Sequence, residues 1–176
     1  MKRYWLSILI LVAGLVFAAL INGIPLYMFL DLPGFIIAVA TPFLFVTILF
    51  GFKNTRRAFS TFRKNEKEHD ALHAALAFFK VYSKATSVSA VIAVIIGGIG
   101  LMANLDDKTL IGPCVALALI SVFYSGVVQL AIIMPHTVFI HNQLGNSKIR
   151  GVLFSTLGSL FGVIAAVLLM LNFIIT

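Results

Sequence analysis

The residues of this chain that could bind a metal lie in one polar segment. His69 and His73 are four apart on a predicted helix, a spacing at which two imidazoles can chelate a transition metal. Two carboxylates accompany them, Glu66 and Asp70, but nothing else in the sequence completes a closed site. We interpret the four as a solvated charged face, and expect no metal and no other cofactor.

Other residues with reactive side chains do not combine into a catalytic set. His136 and His141 are five apart and share no helix face. The glycines of Gly97-Gly98-Ile99-Gly100 lie inside an apolar stretch, so they do not form a phosphate-binding loop. No nucleophile has a candidate base beside it. The sequence therefore predicts a protein that is not an enzyme.

A stripe of polar side chains lies within another apolar stretch. Ser121, Ser125 and Gln129 recur every fourth residue, and Tyr124 lies beside them. A glutamine at depth in a membrane costs free energy unless it is paired or reaches water. Either Gln129 lies close to the cytoplasmic end of its helix, or it faces a partner.

The elements that carry these residues are predicted by composition. Of 176 residues, 61% are hydrophobic and 11% are charged, with a mean hydropathy of +1.08, whereas soluble domains carry about 25% charge. This composition excludes a disordered chain, a disulfide scaffold and a nucleic-acid-binding module. The single Cys114 forbids an intramolecular disulfide. We predict an all-α, polytopic helical bundle in a membrane.

Crossing the hydrocarbon core takes about 20 apolar residues in a helix. Five charge-free stretches approach or reach this length: 5–21, 35–52, 85–105, 110–134 and 151–175. The first is interpreted as a retained span rather than a cleaved signal. Pro42 is expected to kink the second span. The chain then divides into helices 1–2 (1–52), a short, basic, partly helical cytoplasmic segment (53–84), helices 3–4 (85–135), a cytoplasmic connector (136–150) and helix 5 (151–176).

The cations predict the orientation of these spans. Lys108 lies between helices 3 and 4 together with Asp106 and Asp107, and Asp31 is in the connector between helices 1 and 2. The other twelve of the thirteen Lys and Arg residues fall on the opposite side. Because positive loops stay in the cytoplasm, we expect an inner N-terminus, an outer C-terminus and contact with anionic lipid.

Two further patterns concern the third helix and its neighbours. Asn65 to Glu68 has the form of a capping box, so helix 3 is expected to extend several turns beyond the membrane. Small residues mark close helix contacts in lipid, here Ala93, Gly97 and Gly100. Other small-residue ridges are Gly14 and Ala18 in helix 1, and Ser155, Gly158, Ser159 and Gly162 in helix 5.

No Asp, Glu, Lys, Arg or His falls inside any of the five predicted spans. A relay of protons or cations through hydrocarbon normally needs an ionisable side chain. Any transport role therefore requires a second protein that supplies a carboxylate.

The run LMANLDDKTLIGPCVALALISVFY, from Leu101 to Tyr124, resembles the MotA/TolQ/ExbB proton-channel family, and its MotA branch most closely. Asp31-Leu32-Pro33 is similar to the tripeptide before that family's second span, Pro135 to a proline ending the fourth, and Gly97 to a glycine of the third. The resemblance covers about 31–34 and 89–135. The large cytoplasmic domain of MotA is replaced by about 32 residues, and helix 5 is additional.

The resemblance implies a homo-oligomer, a pentamer, around a single-span partner of the MotB/ExbD/TolR kind whose aspartate enters the pore. By position, helices 3 and 4 would line that pore. Ser121 stands where a pore threonine is expected, whereas Val94 and Val122 replace two other threonines. The implied pore or ion-pathway residues are Ser121, Ser125, Tyr124, Val94 and Val122. The implied packing and gate residues are Gly97, Gly100, Ala93, Pro135 and Pro113.

We therefore expect a multi-pass subunit of a proton- or sodium-driven motor or channel in the bacterial inner membrane. A non-conducting scaffold of the same ring architecture remains an alternative, favoured by Val94 and Val122. A third possibility is a monomeric five-helix adaptor for lipid or protein. No nucleic-acid partner is expected.

Overall fold

The computed structural model of the chain describes residues 2–23, 25–64 and 68–145, together with the isolated positions 158, 165 and 172. Within these residues every regular element is a helix or a helical turn. The predicted span 151–175 lies outside the described residues except for those three positions, as do Ser155, Ser159 and Gly162. The described part of the chain is all-helical.

Seven α-helices follow one another along the described chain. They are α1 (Lys2–Ile21), α2 (Leu32–Phe35), α3 (Thr41–Phe50), α4 (Phe52–Lys64), α5 (His69–Ala103), α6 (Lys108–Val128) and α7 (Met134–Gln143). A 3-10 turn, Leu26–Phe29, precedes α2. Two π-helical turns, Ile36–Ala40 and Gln129–Ile133, join α2 to α3 and α6 to α7.

Three stretches are long and apolar enough to cross a membrane: Leu26–Phe50, His69–Ala103 and Thr109–Gln143. They overlap the second, third and fourth predicted spans, and each begins before the predicted start. The apolar part of the first, Ile8–Ile21, is shorter. The length and apolar composition of these helices are compatible with a membrane protein. The five crossings and their orientation stay predictions from the sequence.

The third helix extends before the predicted span 85–105, because α5 begins at His69 and has 35 residues, which makes it about 52 Å long at 1.5 Å per residue. Its start differs from the prediction. Glu68 is itself the N-cap residue and makes no capping hydrogen bond with its side chain. Its carboxylate instead pairs with Arg57 at 2.5 Å, so Glu68 does not reach back as the third residue of a capping box.

Each π-helical turn ends two residues before a proline. Pro42 and Pro135 are each the second residue of the α-helix that follows such a turn. A proline ring clashes with the carbonyl four residues earlier, and a wider turn relieves that crowding. The Met134 N–H accordingly bonds to the Gln129 carbonyl, five residues back. The helix thus continues past Pro135 to Gln143, whereas the sequence suggested that this proline ends the span.

The main buried core lies around the N-terminal half of α5. Gly51, with φ +80°, ends α3 and changes the direction of the chain. The next helix, α4, packs against α5. Phe78 and Phe79 of α5 are almost fully buried and contact Phe59 of α4. His136 of α7 lies 4.8 Å from the Phe79 ring. This aromatic core joins α3, α4, α5 and α7.

Candidate functional site

The α5–α6 pair carries most of the residues that the sequence singled out. A Cβ added at Gly97 would lie 2.7 Å from the Cys114 carbonyl oxygen and 3.1 Å from the Ala118 Cβ. Ala93 is fully buried, and a Cβ at Gly100 would meet the Cys114 sulfur at 3.0 Å. The expected close helix contact is therefore present within one chain.

The polar stripe of α6 points into the subunit. Ser121, Ser125 and Gln129 are all buried. The Gln129 side-chain amide donates to the Ser87 hydroxyl at 3.0 Å, and the Ser125 hydroxyl donates to the Thr86 carbonyl at 3.4 Å. Of the two possibilities for Gln129, the structure shows the second, with a partner on α5 of the same chain.

Tyr124 fastens the start of the second span to α6. Its hydroxyl donates to the Phe29 carbonyl at 2.5 Å and accepts from the Asp31 N–H at 3.0 Å. One carboxylate oxygen of Asp31 accepts from the Gly34 N–H at 2.7 Å, which makes Asp31 the N-cap of α2. The helix thus begins at Leu32, three residues before the predicted start.

Ser121 adjoins the same place. A Cβ added at Gly34 would lie 2.5 Å from Asp31 Oδ2 and 3.3 Å from Ser121 Oγ. The Ser121 hydroxyl donates to the Leu117 carbonyl at 2.7 Å. The structure therefore packs the Asp31–Gly34 turn against α6, with Gly34 beside Ser121 and the Asp31 N–H on Tyr124. Sequence reasoning missed this contact because it placed Asp31 in an outer connector.

The remaining predicted site residues lie apart from this contact. Val94 is buried, Val122 and Pro135 are half-buried, and Pro113 is exposed. Within residues 85–103 of α5 and within residues 110–128 of α6, every exposed position is apolar. The largest exposed members are Val88, Ile92, Ile95, Ile96, Ile99, Met102, Leu110 and Leu119.

The histidines do not assemble into a metal centre in the part of the chain that the structure describes. His69, Asp70 and His73 are exposed, and no three His, Cys, Asp or Glu side chains come together there. Glu66 lies outside the described residues. A ring nitrogen of His136 lies 2.7 Å from the Ile132 carbonyl oxygen, so this histidine serves the packing of α7.

An apolar cavity of about 420 Å³ opens between α1 and the outer side of α6. Its walls include Val16, Ala19, Leu26, Phe29 and Phe123. Phe29 and Phe123 pack at 5.2 Å between ring centroids. The cavity thus adjoins the segment that Tyr124 holds, and α1 is loosely packed there.

The fold and these contacts define a helical protein with the features of a membrane bundle. Comparison of the chain with protein-family models, with curated proteins and with solved structures finds no match.

Proposed function

We propose that this chain is a subunit of an ion-driven membrane complex, in which several copies form a ring around a single-span partner. The partner contributes an intramembrane aspartate, and the ring provides the close-fitting wall around it. By the resemblance to the MotA/TolQ/ExbB family, the ring has five copies and the ion is a proton or sodium. We place the complex in the bacterial inner membrane.

The observation that carries the proposal is the construction of the α5–α6 pair. Small residues close the seam between its helices at Gly97 and Gly100, while its outward faces are apolar and uncovered by the described residues. Membrane helices associate by close packing rather than by a hydrophobic driving force. A two-helix wall of constant shape is well suited to pack beside copies of itself and against an inner helix.

A second candidate is a ring of the same architecture that does not conduct. Ser121, Ser125 and Gln129 are buried inside the subunit, so the exposed positions of 85–103 and 110–128 are apolar. A hydrophobic constriction excludes water and can close a pore by dewetting. In this alternative the complex holds its partner without passing ions.

The first experiment measures the mass of the purified complex in detergent by native mass spectrometry. We expect five times the chain mass of 19.1 kDa plus bound partner. Ile95→Trp changes an exposed residue of α5, and Ile48→Trp changes an exposed residue of α3. Ile95→Trp should reduce the oligomer and Ile48→Trp should leave it intact. A lone 19.1 kDa species without a partner would contradict both candidates and favour the monomeric adaptor.

The second experiment separates the two candidates. The ring with its partner is reconstituted into liposomes, and proton and sodium flux are measured under an imposed potential. Flux above that of empty liposomes supports the ion-driven complex. A stable ring with its partner but without flux supports the scaffold.

A further inference from the structure

We propose that four cations of this chain bind the phosphate groups of anionic phospholipids in the adjoining membrane leaflet. They are Lys53 and Arg56 of α4 and Lys80 and Lys84 of α5, all exposed, which we call the basic belt. The sequence predicts only a general attraction between the basic side of the chain and anionic lipid. The proposal assigns that contact to particular side chains, and it is independent of the proposed ring and of ion flow.

The basic belt begins where the exposed apolar surface of α3 ends. Ile48 and Leu49 of α3 are well exposed, and Phe52, the first residue of α4, is 76% exposed. Such side chains are stable in contact with hydrocarbon, whereas in water their apolar area is unfavourable. The charge-free stretch 32–52 is about 31 Å long as a helix and matches the hydrocarbon core, which is about 30 Å thick. Lys53 follows directly, so it lies at the edge of the hydrocarbon.

The exposed face of α5 changes from basic to apolar within one turn. Lys80, Lys84 and Val88 follow one another at intervals of four residues and are all exposed, and side chains four residues apart lie on the same side of a helix. Between Lys84 and the end of α5, every exposed position is apolar. The hydrocarbon edge therefore lies near Lys84 on this face. A lysine stem can extend along apolar surface and place its ammonium group among the lipid headgroups.

A ring contact between α3 and α5 brings these two edges to a similar height. Phe50 lies 5.6 Å from Phe78 between ring centroids. Lys53 comes three residues after Phe50, and Lys80 comes two residues after Phe78. Lys84 is one further turn along α5, about 6 Å at 1.5 Å per residue. The two helices thus present their basic side chains to the same layer of the membrane.

The cations of the basic belt have no acidic partner in the part of the chain that the structure describes. An ion pair joins the neighbouring Arg57 to Glu68, and Asp70 lines the same cleft as Arg57. These two acids compensate Arg57, which is therefore not counted in the belt. The belt itself keeps its charge available to an anion from outside the chain.

An anionic phospholipid satisfies both the charge of the belt and the apolar surface beside it. Its phosphate oxygens accept charge-assisted hydrogen bonds from ammonium and guanidinium groups. Its acyl chains cover the exposed side chains that adjoin the belt, such as Phe52 and Val88, whereas a soluble polyanion would leave them uncovered. Each cation beside a membrane span strengthens the attraction to anionic lipid by about fivefold.

The first test compares variants that each remove one positive charge. The purified complex in neutral detergent is titrated with phosphatidylglycerol or phosphatidylcholine, and native mass spectrometry counts the lipids bound per chain. We expect tighter binding of phosphatidylglycerol, weakened about fivefold in Lys53→Gln and in Lys80→Gln. Arg57→Gln removes a cation that is already paired, so it should bind phosphatidylglycerol as the wild type does. Unchanged circular dichroism checks the folding of all three.

Two outcomes of this titration would overturn the proposal. One is equal affinity of the wild type for the two lipids. The other is an equal loss in Arg57→Gln and in the belt variants, because net charge alone would then explain the attraction.

The second test locates the lipid on the chain. Phosphatidylglycerol with a photoreactive group on its headgroup is incorporated into liposomes with the wild-type complex, and the adducts are located by mass spectrometry. We expect adducts in 52–57 and 78–88 at several times the yield found in 104–112, the acidic turn between α5 and α6. Unlabelled phosphatidylglycerol should compete, and water-soluble glycerol phosphate should not. Equal yields at the two ends, or displacement by glycerol phosphate, would overturn the assignment to a lipid headgroup.

Discussion

Gly97 lies where α5 contacts the backbone of α6, and there a single methyl group decides how close the helices can be. Gly97→Ala would place a Cβ 2.7 Å from the Cys114 carbonyl oxygen, which the backbone can relieve only by moving apart. Overpacking of this kind costs about 1–3 kcal/mol. We expect a lower thermal midpoint in detergent, followed by circular dichroism.

The control for this change is Gly126→Ala in α6, because no other atom lies within 4 Å of the added methyl group in the described chain. Alanine stabilises a helix by up to about 1 kcal/mol relative to glycine. Its midpoint should be equal to or above that of the wild type. A Gly97→Ala midpoint that matches the control would contradict the close contact.

Asp107 connects the stability of α6 to pH. Its carboxylate accepts from the side chain and the N–H of Thr109, and these bonds lower the pKa of Asp107 from its ordinary value of 3.8. A lowered pKa means that this stabilisation is present above the ordinary value and is lost as the pH falls through the folded-state value. Asp107→Ala should lower the thermal midpoint at pH 7 and have a smaller effect in acid. An equal effect at both pH values would exclude an ionised cap.

Single residues show what could be predicted from the sequence. The apolar surroundings of Gln129 indicated that it needs a partner, and Ser87 provides it. Nothing in the spacing indicated that the partner is in the same chain, because a helix pattern does not define which neighbour its polar face meets. For Asp31, the sequence before Pro33 predicted a helix start, whereas its contact with Tyr124 joins residues 93 positions apart and depends on tertiary packing.

At the scale of elements, the attachment of α4 depends on the aromatic core. Phe79 is fully buried and packs on Phe59, Phe78 and His136. Replacing a buried phenylalanine by alanine costs about 3–5 kcal/mol. Phe79→Ala should therefore lower the stability in detergent and increase tryptic cleavage after Arg56 and Arg57.

The matched control is Phe52→Ala, since Phe52 is 76% exposed at the beginning of the same helix α4. An exposed substitution usually changes stability by less than about 0.5 kcal/mol. Equal cleavage in the two variants would show that the aromatic contacts do not hold α4 in place.

The elements themselves were predictable to different degrees. Charge-free length predicted the spans now seen as α5 and α6, because the requirement is simply enough apolar residues. The π-helical turns before Pro42 and Pro135 were not predicted, since proline chemistry specifies a disruption but not whether the helix ends, bends or widens. The separate helix α4 begins after Gly51, whose positive φ is a local feature that composition does not reveal.

At the scale of the whole molecule, the orientation of the chain is open to a direct test. Eight of the thirteen cations lie within 53–84, and Lys108 is the one at the α5–α6 turn; positive segments are retained in the cytoplasm. In a Cys114→Ala background, Lys53→Cys and Asp106→Cys each introduce a thiol at an exposed position. A membrane-impermeant maleimide should label Asp106→Cys in intact cells and Lys53→Cys only after lysis. Labelling of Lys53→Cys in intact cells, with Asp106→Cys labelled only after lysis, would contradict the orientation that the distribution of cations predicts.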